Sequence, residues 1–270
     1  MTLQNLHTHT RFCDGQHTVE EMIQSAIRLG MSSLGFSGHA PLPFSSSWAM
    51  ETTEEYHAQV LQQKQRYAGQ LSVYLGLEQD FFSPPPPEWC EYTIGSVHQI
   101  RIGDQYYPMD YTAEALQDAA NAGFGGDIYG VVEAYYALVG NIARKTGCQI
   151  VGHFDVICKN NEKTPLFDID HPRYVKAAMN ALDALSGQDL VFEVNTGAIA
   201  RGYRTTPYPD QRLLRAMRER NIPICITSDA HDAKHLLHGF REASQWVKNC
   251  GYDSCVYWNG NTFYEDALPY

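Results

Sequence analysis

The feature that most constrains this chain is an alternation. Short apolar runs rich in β-branched residues recur at Leu3–His9, Ser33–Ser37, Ser72–Leu77, Tyr92–Val97, Gln149–Gly152, Leu190–Asn195 and Pro223–Thr227. Between them, apolar residues repeat at helical spacing over Val19–Leu29, Thr53–Ala68, Tyr129–Lys145, Pro172–Leu185, Gln211–Arg220 and Ala233–Lys248. Thr18 ahead of Val19-Glu20-Glu21 and Asp170 ahead of Pro172 supply helix starts. Strand–helix alternation over one long chain predicts a parallel sheet, open or closed into a barrel. Cys255–Phe263 is a weaker strand candidate. Arg101–Gly147 is longer than a plain crossover and rich in Tyr and Gly, so it is read as a lid beside a site.

At 270 residues and 44% hydrophobic, the chain suits one large domain spanning 1–270. Its one biased stretch, Ser83 to Pro87, is too short to divide it. The net charge of −11 argues against a broad nucleic-acid surface, which needs clustered Lys and Arg. It suits a chain that binds cations: three divalent ions would bring the sum to about −5. No apolar run approaches the roughly 20 residues of a membrane span. Met1–Leu6 lacks the basic flank and apolar stretch of a secretory signal. The seven cysteines are scattered, without CxxC spacing, and are expected to stay reduced in the cytoplasm. The expected partner is a small molecule, neither nucleic acid nor membrane; the oligomeric state is left open.

The placement of the metal-binding residue types is decisive. The first strand candidate ends in His7-Thr8-His9 and the second runs into Gly38-His39. Glu78 follows the third, His98 the fourth and His153 the fifth, and the seventh leads into Ser228-Asp229-Ala230-His231. Each lies at or just past a strand's C-terminal end, the edge where parallel α/β folds build their sites. Residues i and i+2 of a strand point to one side, so His7 and His9 can serve one ion, and Asp229 and His231 one cluster. Imidazoles with carboxylates suit Zn, Mn or Fe. His17, His57, His171, His235 and His238 fall in helices or loops instead.

On His7-Thr8-His9-Thr10, Cys13-Asp14-Gly15, Gly35-Phe36-Ser37-Gly38-His39-Ala40-Pro41, Gly76-Leu77-Glu78, Gly95-Ser96-Val97-His98, Gly152-His153-Phe154-Asp155, Glu193-Val194-Asn195-Thr196 and Ser228-Asp229-Ala230-His231, the chain resembles the polymerase and histidinol phosphatase (PHP) superfamily. Within it, the likeness is to the phosphatases of L-histidinol phosphate, a step of histidine biosynthesis. The resemblance implies an α/β fold, a distorted TIM-like (β/α)7 barrel with a metal site at the C-terminal ends of its strands. It also implies three divalent ions. His7, His9, Glu78 and Asp229 would hold the first. Glu78 would bridge to a second, completed by His98 and His153. Asp14, His39 and His231 would take the third, with His17 close enough to replace Asp14.

Hydrolysis of a phosphate monoester would then proceed by in-line attack of a hydroxide bridging two ions, whose charge lowers the pKa of water. Glu78, Asp229 and His231 are the catalytic candidates. Arg201 is expected to bind the phosphate, because Gly197 and Gly202 let its loop bend close and guanidinium offers paired donors. Lys159 and the neighbouring Arg204 are alternatives for that role. Glu193 is a candidate for the substrate's cationic end, and Tyr106, Tyr107 and Asp110 are candidates for lining the pocket. Rival readings are a nucleotide phosphatase or nuclease on the same scaffold, a metal-dependent amidohydrolase, and a metal-binding protein without turnover. The amidohydrolase barrels commonly place a modified lysine where this chain has His98.

Overall fold

Residues 2–44 and 46–270 are described by the computed structural model; Met1, the start of the segment read for a signal, and Ser45 lie outside the described residues. Seven strands run parallel in one sheet, in the order β1 (Gln4–Asn5), β2 (Ser33–Phe36), β3 (Ser72–Asp80), β4 (Tyr92–Ser96), β7 (Ile150–Val151), β8 (Val191–Asn195) and β9 (Ile224–Thr227). Its edges meet through a parallel bridge between Thr8 and Ala230, where the His9 N–H donates to the Ala230 carbonyl at 2.9 Å. The sheet is thus nearly closed, a distorted TIM-like barrel as expected. β1 is shorter than the run Leu3–His9, because side chains take over from the ladder. The His7 N–H donates to Asn5 Oδ1 and the Thr8 N–H to Ser37 Oγ, both at 3.1 Å.

The N-terminal mouth of the barrel is filled. Leu6, Tyr92, Ile94, Ile150, Val191, Cys225 and Trp258 form an inner apolar cluster. Tyr92 is its pivot: its hydroxyl donates to the Leu6 carbonyl at 2.5 Å. Its ring passes so near Gly76 that a Cβ there would stand 2.6 Å from it. Removing so large a buried ring would cost about 3–5 kcal/mol. Trp258 comes from an antiparallel hairpin of β10 (Ser254–Trp258) and β11 (Phe263–Ala267), tied to the barrel by two hydrogen bonds with the Gln4 side chain. The weak strand candidate is therefore a plug outside the sheet. With one mouth filled, the open mouth is the C-terminal one.

Around the barrel lie α1 (Val19–Arg28), α2 (Glu54–Arg66), α6 (Pro172–Leu185), α8 (Gln211–Glu219) and α9 (Phe240–Lys248). Thr18 starts α1 with a reciprocal capping box to Glu21. At α6 the cap is His171 rather than Asp170, which pairs with Arg212.

Two helical expectations and the lid are corrected. Tyr129–Lys145 divides into α4 (Ile128–Val139) and α5 (Ile142–Thr146) at Gly140-Asn141, where the missing side chain lets α4 approach Ala181. Ala233–Lys248 begins as a short 3-10 turn and becomes α9 only after Gly239. Arg101–Gly147 is mostly not a lid. It folds into part of a hairpin, β5 (Gln99–Ile102) with β6 (Gln105–Pro108), and then α3 (Ala113–Gly123), α4 and α5. Its Leu116, Val131, Val132, Tyr135 and Tyr136 sit in the main core. Only Pro108, Asp110 and Tyr111 of this segment reach the site.

Candidate metal centre

At the open mouth the strand ends bring His7, His9, Asp14, His39, Glu78, His98, His153, Asp229 and His231 together. Glu78 stands at the middle, inside β3 rather than after it, because that strand runs on to Asp80. Its two oxygens face different sets. Oε1 lies 2.9 Å from His153 Nε2 and 3.3 Å from His98 Nε2. Oε2 lies 3.1 Å from His7 Nε2, 3.6 Å from His9 Nε2 and 2.9 Å from His39 Nδ1. Asp229 Oδ1 lies 3.1 Å from His9 Nε2 and 3.7 Å from His7 Nε2.

Asp14, from the loop after β1, is 3.1 Å from His231 Nε2 and 3.7 Å from His39 Nε2. Asp14, and not His17, faces this cluster. His17 turns away, its Nδ1 accepting from the Ala233 N–H at 3.3 Å and facing Asp232.

Local backbone geometry aims Asp229. Its φ is +46°, in the left-handed region that few non-glycine residues adopt outside functional sites. Gly197 makes room for it: a Cβ at Gly197 would lie 2.8 Å from the Asp229 Cβ.

The donor set tests for divalent ions. His7 Nε2, His9 Nε2 and Glu78 Oε2 are buried without a hydrogen-bond partner, all turned into one cluster. Buried polar atoms left this way are costly unless something else binds them. Burial opposes the charge on Glu78, yet His7, His39 and His98 hold its carboxyl well below the usual range. Burial and then the neighbouring His231 and His39 push His9 down to about 3, so its imidazole stays neutral, the form that binds a metal. The residues fit a divalent-metal centre.

Residues 5–197 match the PHP domain family. A protein of Deinococcus radiodurans named probable histidinol-phosphatase is 33% identical over 262 residues, covering 91% of this chain and 92% of its own. The chain belongs to the PHP family. The histidinol-phosphatase of Bacillus subtilis is 29% identical, over 87% of this chain and 95% of that protein. Among solved structures, the Lactococcus lactis histidinol phosphate phosphatase, complexed with zinc, L-histidinol and phosphate, superposes with a TM-score of 0.71. At 17% identity over 97% of this chain and 99% of that one, it attests to the fold.

A cavity of about 480 Å3 opens above the PHP centre, lined on its outer side by Trp48, Asp110, Tyr111, Lys159, Arg201 and Tyr203. Arg201 Nη2 is 2.9 Å from Asp229 Oδ2, and Nη1 donates to the Asp229 carbonyl at 3.0 Å. Lys159 Nζ is 3.0 Å from Asp110 Oδ2. Arg204 points the other way, toward Asp155 at 3.8 Å, with its guanidinium over the Tyr208 ring.

Glu193 is a correction. It does not line the cavity. It is buried behind His7, with Oε1 2.5 Å from His7 Nδ1 and accepting from Thr227 Oγ1 at 2.6 Å, while Oε2 accepts from the His153 N–H at 2.7 Å. With both oxygens engaged, it orients His7 and cannot meet a substrate cation. Tyr106 and Tyr107 also fall outside the cavity lining. Tyr106 stacks on Phe44 and Tyr107 bonds to Gln105.

Two residues near the centre were not found from sequence. Asp80 Oδ2 accepts from the His98 N–H at 2.9 Å and stands 3.4 Å from His98 Nδ1. Its place two residues after Glu78, on the same face of β3, was a usable signal. Trp48 carries no such signal; only the path of its loop sets it edge-on to His39, with ring centres 4.6 Å apart.

Proposed function

We propose that this chain is a metal-dependent phosphomonoesterase that hydrolyses L-histidinol phosphate to L-histidinol and phosphate. It would act as a single domain spanning 1–270 in the cytoplasm, where its seven cysteines, all free in the structure, would remain reduced. The observation that carries this reading is the stacking of two devices over one cavity. A cluster of nine nitrogen and carboxylate ligands centred on Glu78 lies below, and two cations, Arg201 and Lys159, lie on the wall above. The relatives named as histidinol-phosphatases supply the substrate.

Three ions (Zn, Mn or Fe) would occupy the cluster. His7, His9, Glu78 and Asp229 would hold one, Glu78 with His98 and His153 a second, and Asp14, His39 and His231 the third. When bound, the ions supply water of lowered pKa and positive charge opposite the phosphoryl group. The protein contributes placement. Asp229 fixes the Arg201 guanidinium at the edge of the cluster, where its paired donors match phosphate oxygens. Glu193 holds His7 by Nδ1, leaving Nε2 free to ligate. Trp48 and Tyr203 line the wall of the cavity together with Arg201 and Lys159.

The test is phosphate release from L-histidinol phosphate and from nucleoside monophosphates, assayed side by side. The expected result is a kcat/KM for L-histidinol phosphate higher by at least about 100-fold. Equal or faster turnover of the nucleotides would contradict the assignment and favour the nucleotide phosphatase reading.

A further inference from the structure

The cavity wall carries an acid–base pair that phosphate binding alone does not explain. Asp110 and Lys159 are bonded at 3.0 Å, with side chains only 22% and 15% exposed, and both face the cavity. Neither belongs to the ligand cluster. The fold sets them there by separate routes. Asp110 follows β6, and the Met109 N–H donates to the His98 carbonyl at 2.8 Å, which places the carboxylate beside that histidine. Lys159 follows the 3-10 turn Val156–Cys158 beyond β7, its Nζ 4.9 Å above the Tyr203 ring. Trp48 meets the same His98, with ring centres 5.3 Å apart, so the wall around the pair is partly apolar.

We propose that Asp110 is the specificity-determining residue of the phosphatase, binding the ammonium group of the alcohol half of the substrate while Lys159 turns to the phosphate. This rests on the function proposed above. A buried ion pair is held at a desolvation cost, and losing one partner strands the other. A ligand that brings both an anion and a cation replaces each partner and leaves no charge alone. An ester of a neutral alcohol cannot do so. With it, either Lys159 stays on Asp110 and is withheld from the phosphate, or Asp110 is left unpaired. The cavity therefore discriminates by a penalty as well as by an attraction. Glu193, the other acidic candidate, is sealed behind His7.

The experiment compares L-histidinol phosphate with its des-amino analogue on metal-loaded protein, wild type and Asp110→Asn. The expected wild-type preference in kcat/KM for the ammonium ester is on the order of 30-fold or more, shrinking at least about tenfold in the variant. Calorimetric binding of L-histidinol should weaken at least about tenfold in the variant. A preference ratio unchanged by the substitution overturns the proposal and leaves Asp110 as a partner of Lys159 alone. If the variant does not fold, the wild type decides: equal binding of L-histidinol and its des-amino alcohol overturns the proposal, and a marked preference for L-histidinol upholds it. Wild-type protein inert toward L-histidinol phosphate defeats the functional reading itself, a separate outcome.

Discussion

Glu193 Oε1 lies 2.5 Å from His7 Nδ1, behind the ligand cluster and out of reach of the cavity. The carboxylate holds the Nδ1 edge of the ring and so turns Nε2 into the cluster, 3.1 Å from Glu78 Oε2. Glu193→Gln is expected to weaken metal binding by about 10- to 100-fold. Activity should return as metal is added. Competition with a fluorescent chelator measures the affinity, and an unchanged affinity would leave Glu193 without this role.

Gly197 and Asp229 cannot both keep their places if Gly197 gains a methyl group, because that Cβ would lie 2.8 Å from the Asp229 Cβ and 2.9 Å from its Oδ2. Gly197→Ala should cost about 1–3 kcal/mol of stability and displace a ligand. Denaturant melts and metal content should fall together. Normal metal content in a destabilised variant would mean that α7 (Gly197–Ala200) moved while Asp229 stayed.

Arg201 lies outside the proposed ligand set but pairs with Asp229 at 2.9 Å, so its variant is compared with wild type at saturating metal. Arg201→Met is expected to lose about 2–4 kcal/mol of transition-state stabilisation, or roughly 30- to 1000-fold in kcat/KM. Near-normal kcat/KM would hand the phosphate to Lys159.

Protonation separates the metal-free protein from the loaded one. Burial opposes charge on His7 and His98, but Glu193 and Glu78 raise the first and Glu78 and Asp80 the second. Their stabilising contribution is complete below the unfolded histidine value of about 6.5 and is lost as pH rises through the raised values. Glu78 and Asp229 are shifted down against burial, the latter chiefly by Arg201 and His7. Their contribution is present above the unfolded carboxylate values of about 4 and is lost as pH falls through the lowered ones. His9 runs the other way: the unfolded chain takes up a proton there that the folded chain refuses down to about pH 3, so stability falls as pH drops below about 6.5. Metal-free protein should therefore be most stable near about pH 6.5. Bound ions replace the protons, so the loaded protein should hold its Tm above pH 7. Thermal melts with and without chelator across pH check this; a chelated form most stable at pH 8 would contradict it.

Strand–helix alternation was readable because seven short β-branched runs, such as Leu190–Asn195 and Pro223–Thr227, are separated by amphipathic stretches. The convergence of the candidate ligands was readable because ends of parallel strands converge: wherever strand ends were placed, the histidines and carboxylates had to meet. What failed depended on contacts that periodicity does not encode. Glu193 lies on a strand interior face, and only the packing of His7 against it decides between cavity and support. The place of Trp48, which no motif marked, and the departure of Tyr106 and Tyr107 from the cavity that Asp110 does line are set by loop paths. The break at Gly140 follows from an approach to Ala181, far away in sequence.

The central claim is that a multinuclear centre around Glu78 turns over a phosphate monoester. Its most direct test strips the protein with chelator and then adds Mn or Zn in equivalents, following phosphate release from L-histidinol phosphate beside elemental analysis. The account predicts no turnover in the stripped protein, activity that saturates at about three ions per chain, and neither binding nor turnover of that order in Glu78→Gln. Full activity after stripping, or in Glu78→Gln, would contradict it.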